Sequence, residues 1–233
     1  MDPEDDPEYW NNLGYSIARE GKREKAQKYY EKALEIDPDN ERALNNLANI
    51  LSDQGKEEEA LKYLKYTTEI HPDSVEAWIN LGVCYMDKRD TDAAMTCFDK
   101  AKDIDPGNAA LWHNRGYTLR LQKKFKEAIS DYDTSLRLRP LDVGTLYDKA
   151  FAHMTISELD EADRCYDEIL KIEPDHAGAI GDKGAVQAEK GNYREAITFF
   201  DRSLKIEPDN ARIMNNKSLA LEKIDESEKT ENK

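Results

Sequence analysis

Six prolines, Pro38, Pro72, Pro106, Pro140, Pro174 and Pro208, recur at a spacing of 34 residues without slippage. A second series, Ala26, Ala60, Ala94, Ala128, Ala162 and Ala196, keeps the same step. Two residue types in register over most of a chain restrict the fold severely. A unit this short cannot bury an apolar face by itself, so it must stack on copies of itself. Framed from Pro7, the units run 7–40, 41–74, 75–108, 109–142, 143–176 and 177–210. Residues 1–6 are an acidic N-terminal extension, residues 211–224 read as a capping helix, and residues 225–233 lack an apolar pattern and read as a disordered tail.

Within a unit the apolar and small residues fall at helical spacing twice. Trp78, Leu81, Gly82 and Tyr85 mark a first helix, and Ala94, Phe98 and Ala101 a second. Between them Gly21, Gly55 and Gly191 occupy equivalent places, where a helix end asks for left-handed backbone. Proline then stops the second helix, because it lacks an N–H and restricts the residue before it. Two residues later stands a side chain able to cap the next helix: Asn40, Ser74, Asn108, Asp142 and Asn210, with His176 as the exception. Small residues at Gly14, Ala48, Gly82, Gly116, Ala150 and Gly184 allow close helix approach, while Tyr30, Leu64, Phe98, Tyr132, Tyr166 and Phe200 supply bulk. The expected fold is all-α, an α-solenoid of six helix-turn-helix units with a C-terminal capping helix.

The series Trp78, Leu81, Gly82, Tyr85, Ala94, Phe98, Ala101, Pro106 resembles the tetratricopeptide repeat signature residue for residue. The first unit is close to it, with Trp10, Leu13, Gly14, Ala26, Tyr30, Ala33 and Pro38. Later units depart by placing Arg115, Lys149 and Lys183 where leucine is usual. The expectation for these is a long stem along apolar surface with the charge outside. The resemblance implies a protein-interaction scaffold rather than an enzyme.

Composition excludes several other classes. The formal net charge is −15, with 49 acidic residues against 34 basic ones. A nucleic-acid or anionic-membrane partner is therefore not expected. No apolar run reaches membrane-spanning length, and the acidic start lacks a signal pattern, so the expected location is the cytoplasm. Cys84, Cys97 and Cys165 are odd in number and lack metal-ligand spacing, and the histidines are scattered over different repeats. No nucleophile, phosphate-loop or zinc-protease motif appears. Neither a catalytic site nor a cofactor or metal is expected.

In this architecture the first helices are expected to line a concave groove. The sixth residue of each unit gives a row, Asn12, Asn46, Asn80, Asn114, Asp148 and Asp182, whose amides could match the N–H and C=O of an extended peptide. The row is similar to the asparagine ladder in the repeat array of O-linked N-acetylglucosamine transferases. Solvation of the groove alone is the plain alternative. Tyr117, Tyr147 and Phe151 add aromatic surface beside it, with space left by Gly144, Gly178 and Gly181. The two-carboxylate clamp that some tetratricopeptide proteins use on chaperone tails is disfavoured. Its slots hold Asn11, Tyr15, Asn46, Glu76 and Asn80, or Asn45, Asn49, Asn80, Ala110 and Asn114, none of them cationic. The expected partner is thus a protein or peptide, extended or helical. Weak self-association, or service as the targeting subunit of an enzyme on another chain, are the alternatives.

Overall fold

The computed structural model describes residues 2–231, and every regular element among them is helical. A short 3-10 turn at Pro3–Asp5 leads into thirteen α-helices. The first helices of the repeats are α1 (Pro7–Arg19), α3 (Glu41–Asp53), α5 (Val75–Asp87), α7 (Ala109–Leu121), α9 (Val143–Thr155) and α11 (Ala177–Glu189). Their partners are α2 (Arg23–Ile36), α4 (Glu57–Ile70), α6 (Thr91–Ile104), α8 (Phe125–Leu138), α10 (Leu159–Ile172) and α12 (Tyr193–Ile206), and α13 (Ala211–Glu231) follows alone. Helix starts therefore recur with the 34-residue step of the prolines.

The boundaries follow from local chemistry. Asn40, Ser74, Asn108, Asp142 and Asn210 each accept a backbone N–H from the first turn of the helix they precede. His176 is no exception: its Nδ1 accepts from the Ala179 N–H at 3.1 Å, so an imidazole replaces the usual amide or hydroxyl cap. Trp10, Trp78 and Trp112 each donate their indole N–H to a carbonyl six residues back, at Glu4, Pro72 and Pro106, tying each first helix to the turn before it. At the turn inside each repeat φ is positive at six equivalent places. Gly21, Gly55 and Gly191 fill three of them, and Arg89, Lys123 and Ser157, at φ 61–63°, fill the others.

The contacts divide the chain into two compact units, one up to Thr118 and one from Leu119 on. In the first, α1, α3 and α5 each pack on their own partner, and α2 and α4 also pack on the first helix that follows. Its core runs from Trp10, Ala33 and Ala43 through Tyr30, Leu47, Leu51 and Leu64 to Phe98, Ala101 and Leu111. In the second, α8 to α13 pack in the same order, around Leu146, Tyr166, Ile169, Phe200 and Ile213. Each is a stretch of α-solenoid.

The small-residue positions have a definite partner. A Cβ added at Gly82 would lie 2.6 Å from Phe98 Cε1, and one at Gly14 would lie 2.7 Å from Tyr30 Cε1. The aromatic ring of the second helix thus occupies the place of a side chain on the first.

Two expectations need correction. The last helix does not end at residue 224 but runs on to Glu231. Its added turns hold three glutamates, and they are tied by a Lys223–Glu226 pair within the helix and an Arg194–Glu228 pair to α12. Residues 232–233 of the expected tail lie outside the described residues. The cations at the leucine position do not stand free in solvent either. Arg115 pairs with Asp99, Lys149 with Asp133, Lys183 with Asp167 and Lys217 with Asp201, always sixteen residues back on the preceding second helix. Lys183 is 6% exposed and is held by Asp163 at 2.8 Å and Asp167 at 2.7 Å. A repeated ion pair has replaced a repeated leucine contact.

Candidate functional site

The expected row of sixth residues lies on first helices, and it differs in character between the two units. In the first, Asn12 is exposed, while Asn46, Asn80 and Asn114 are half-buried. Fifth residues sit deeper: Asn11 is 3% and Asn45 1% exposed. The Asn46 amide donates to Asn11 Oδ1 at 2.9 Å, so the fifth residue of one repeat meets the sixth of the next. Asn45 and Asn80 hold the corresponding places on α3 and α5, yet both amide atoms of Asn45 and the Asn80 Nδ2 are buried with no hydrogen-bond partner. Such groups are rare in folded proteins and cost about 1–3 kcal/mol each. Tyr15 and Asn49 extend the same face into solvent, and Tyr117 is half-buried.

In the second unit the acidic members are already engaged. Asp148 pairs with Arg120 at 3.8 Å, and the Arg120 guanidinium also lies 5.1 Å from the ring centre of Phe151. Phe151 remains 37% exposed. Asp182 is only 5% exposed, and its two carboxylate oxygens take the Tyr147 hydroxyl and the Arg212 guanidinium of α13. Burial first, and the bond to Asp182 second, push the Tyr147 hydroxyl above its ordinary pKa, so it stays a donor. Tyr147 also stacks on the His176 ring, with centroids 5.7 Å apart. One cluster thus joins α9, α11, α13 and the cap of α11.

The space expected at the glycines is partly filled. Gly181 is buried, and a Cβ there would meet Ile213 Cδ1 at 2.5 Å, so this glycine lets α13 seat on α11. Gly144 is exposed, and a Cβ there would make only an ordinary 3.5 Å contact with Asp142 Oδ1. Sequence reasoning missed Arg120, His176 and Arg212 as neighbours of the row. Arg212 could have been found, since it stands 30 residues after Asp182 near the start of a capped helix. Among the described residues no group of three or more His, Cys, Asp or Glu side chains is placed to hold a metal ion, and no helix is long and apolar enough to cross a membrane.

Tetratricopeptide repeat family models match residues 5–73, 51–114, 109–142 and 147–222. No curated protein matches the sequence. Among solved structures, the type IV pilus biogenesis factor PilW is similar at 22% identity and a TM-score of 0.83, over 90% of this chain and 97% of that one. YrrB, described as a TPR protein with an unusual peptide-binding site, is similar at 24% identity and a TM-score of 0.68, over 81% and 97%. A chain of the APC/C hetero-tetramer Cut9-Hcn1 is similar at 18% identity and a TM-score of 0.82 over 95% of this chain, which spans only 44% of that one. At these identities the likeness speaks for the fold. Helix starts at a 34-residue step, an aromatic ring lodged over a small residue and family models along nearly the whole sequence agree: this chain belongs to the tetratricopeptide repeat family.

Proposed function

We propose that the chain is a non-catalytic adaptor that binds a segment of another protein against the uncovered side of its first helices. The observation that carries this reading is the amide cluster of the first unit. There the buried Asn45 amide and the Asn80 Nδ2 have no protein partner, beside the exposed Asn12 and Asn49. The exposed Asn12 and Asn49 can meet a peptide backbone directly, and the half-buried Asn80 can turn its amide about the last torsion at small cost. Asn45, 1% exposed, is out of a ligand's reach. The second unit offers a different surface. Phe151 presents an aromatic ring braced by Arg120, while Asp148 and Asp182 are neutralised by Arg120 and Arg212. There Asp182 serves to position Tyr147 and α13, and the ligand contact falls to Phe151 and Tyr147. That YrrB is a TPR protein with a peptide-binding site supports the general reading.

The test is affinity purification with the intact chain beside Asn80→Ala, Tyr117→Ala and Phe151→Ala, singly and combined, with circular dichroism as a check on folding. A partner retained by the wild type and lost from a folded variant is the expected result. Equal retention by all of them would remove the first-helix face from consideration. A second reading, self-association through α13, has its own observation: Met214, Leu219 and Leu221 are 46%, 52% and 46% exposed on that helix. Light scattering that finds a monomer at high concentration would dispose of it.

A further inference from the structure

Repeat four breaks the charge pattern of the chain. Residues 109–142 hold seven Lys and Arg against four Asp and Glu, whereas every other 34-residue unit holds more acidic than basic residues. The departure is sharpest at the turn after α8. The residues flanking the turn proline are Asp37 and Asp39, His71 and Asp73, Asp105 and Gly107, Glu173 and Asp175, Glu207 and Asp209; in this repeat alone they are Arg139 and Leu141.

The backbone of the turn does not ask for the exchange, although Arg139 meets the cap of the next helix: its pair with Asp142 stands where Asp37 and Glu207 accept from the Asn40 and Asn210 amides. The Arg139 N–H donates to Ser135 O at 2.8 Å, as the Glu173 N–H does to Ile169 O at 2.8 Å, so the turn has the same backbone bond with either residue. Leu141 is 72% exposed and Leu138 44%, so Leu141 above all gains little from burial. Arg137 and Arg139 stand exposed beside them. Arg137 donates to Thr134 Oγ1, and Arg139, with 65% of its side chain exposed, pairs with Asp142 at 3.5 Å. Leu138 lies between Arg137 and Arg139 in the sequence and Leu141 follows Pro140, so the turn gathers two exposed leucines and two exposed cations on a chain of net charge −15.

We infer that this turn, Arg137 to Leu141, docks an acidic segment of a partner protein that carries apolar side chains among its carboxylates. Charge decides the class of occupant. The guanidinium pair takes carboxylates in forked hydrogen bonds, and the leucines take an apolar side chain. Two cations are too few to hold a polyanionic backbone or membrane against the charge of the remaining chain. A second copy of this chain would bring the same excess of negative charge. None of its residues belongs to the first-helix row, so either can fail without the other.

The test uses the full chain and the variant Arg139→Glu, Leu141→Asp. That variant copies the Glu173–Pro174–Asp175 turn of the second unit but removes the Arg139 pair with the Asp142 cap, so Arg139→Gln, Leu141→Gln serves as a second variant and circular dichroism checks the fold of both. The probe is a fluorescein-labelled synthetic peptide with two leucines flanked by aspartates and glutamates, read by anisotropy. Wild type should bind it with a Kd on the order of 100 μM, weakening with salt, and the double variant should lose about tenfold or more. Each single substitution should account for part of the loss. The inference is overturned if variant and wild type bind alike, or if the peptide does not bind below about 1 mM. It is equally overturned if the variant instead loses binding to phosphatidylserine vesicles or to RNA.

Discussion

Replacing Gly82 by alanine tests whether the aromatic ring of α6 really occupies the place of a side chain on α5. The new Cβ would stand 2.6, 2.8 and 2.9 Å from three ring atoms of Phe98, against an ordinary contact beyond 3.4 Å. Phe98 is fully buried, so its ring cannot swing into solvent, and α5 and α6 must move apart instead. Overpacking of this kind costs about 1–3 kcal/mol, and three contacts under 3 Å put this case toward the upper end. Alanine regains about 1 kcal/mol of helix propensity over glycine. The net loss should be about 1–2 kcal/mol, a fall of about 0.5–1 M in the urea midpoint.

The second repeat supplies the control. There Ala48 and Leu64 hold the equivalent places, and both are buried. Phe98→Leu alone should cost about 1–2 kcal/mol by leaving a cavity. Combined with Gly82→Ala, the shorter side chain removes the clash and the methyl refills part of the space. The double variant should therefore lose about 1–2 kcal/mol less than the sum of the two. Circular dichroism and the fluorescence of Trp78, which packs in the same cluster, should be followed together, because repeat arrays can unfold in parts. Additive losses, or a Gly82→Ala variant as stable as the wild type, would refute the reasoning.

The buried cation on α11 should behave as an acid- and base-limited tie. Burial pulls the Lys183 ammonium down, but its bonds to Asp163 and Asp167 outweigh this and raise its pKa; burial likewise pushes the Asp163 carboxyl up, and Lys183 and Lys190 bring it below its ordinary value. A lowered carboxylate gives stability that is present above about pH 4 and lost as pH falls through the folded value, and a raised ammonium gives stability lost only above about pH 10.4. Lys183→Leu removes charged hydrogen bonds to carboxylates that are partly exposed or keep Lys190. It should thus cost about 1.5–3 kcal/mol at neutral pH, and the difference from wild type in urea midpoint should shrink below about pH 4. Arg89→Gly and Ser157→Gly should each raise the melting temperature in calorimetry, worth about 1 kcal/mol, because both residues hold positive φ; Gly55→Ala should lower it by a similar amount. Burial pushes the Cys97 and Cys165 thiols up to about 11, so a thiol reagent near pH 8 should modify them at a useful rate only after denaturation.

The parts of this structure that sequence reasoning reached are those where one residue type recurs for one local reason. Proline stops a helix and an amide caps the next wherever they occur, so the frame of the repeats follows from the chain alone. His176 looked like a break in that pattern because capping was read by residue type, whereas the N–H of Ala179 needs only an acceptor, and a neutral imidazole nitrogen is one. The ion-pair series was equally present in the sequence: Asp99, Asp133, Asp167 and Asp201 keep the 34-residue step, each sixteen residues before its cation. It went unread because each cation was compared with the leucine it replaces rather than with the helix it faces. The candidate binding row was harder for a further reason. Asn46 and Asp182 occupy the same slot, but one meets Asn11 and the other Tyr147 and Arg212, and those neighbours come from three different helices. A slot in a repeat fixes where a side chain stands; whether its polar atoms remain free for a ligand depends on the adjoining repeats, which is why Asn45 and Asn80 keep unbonded amide atoms while Asp182 does not.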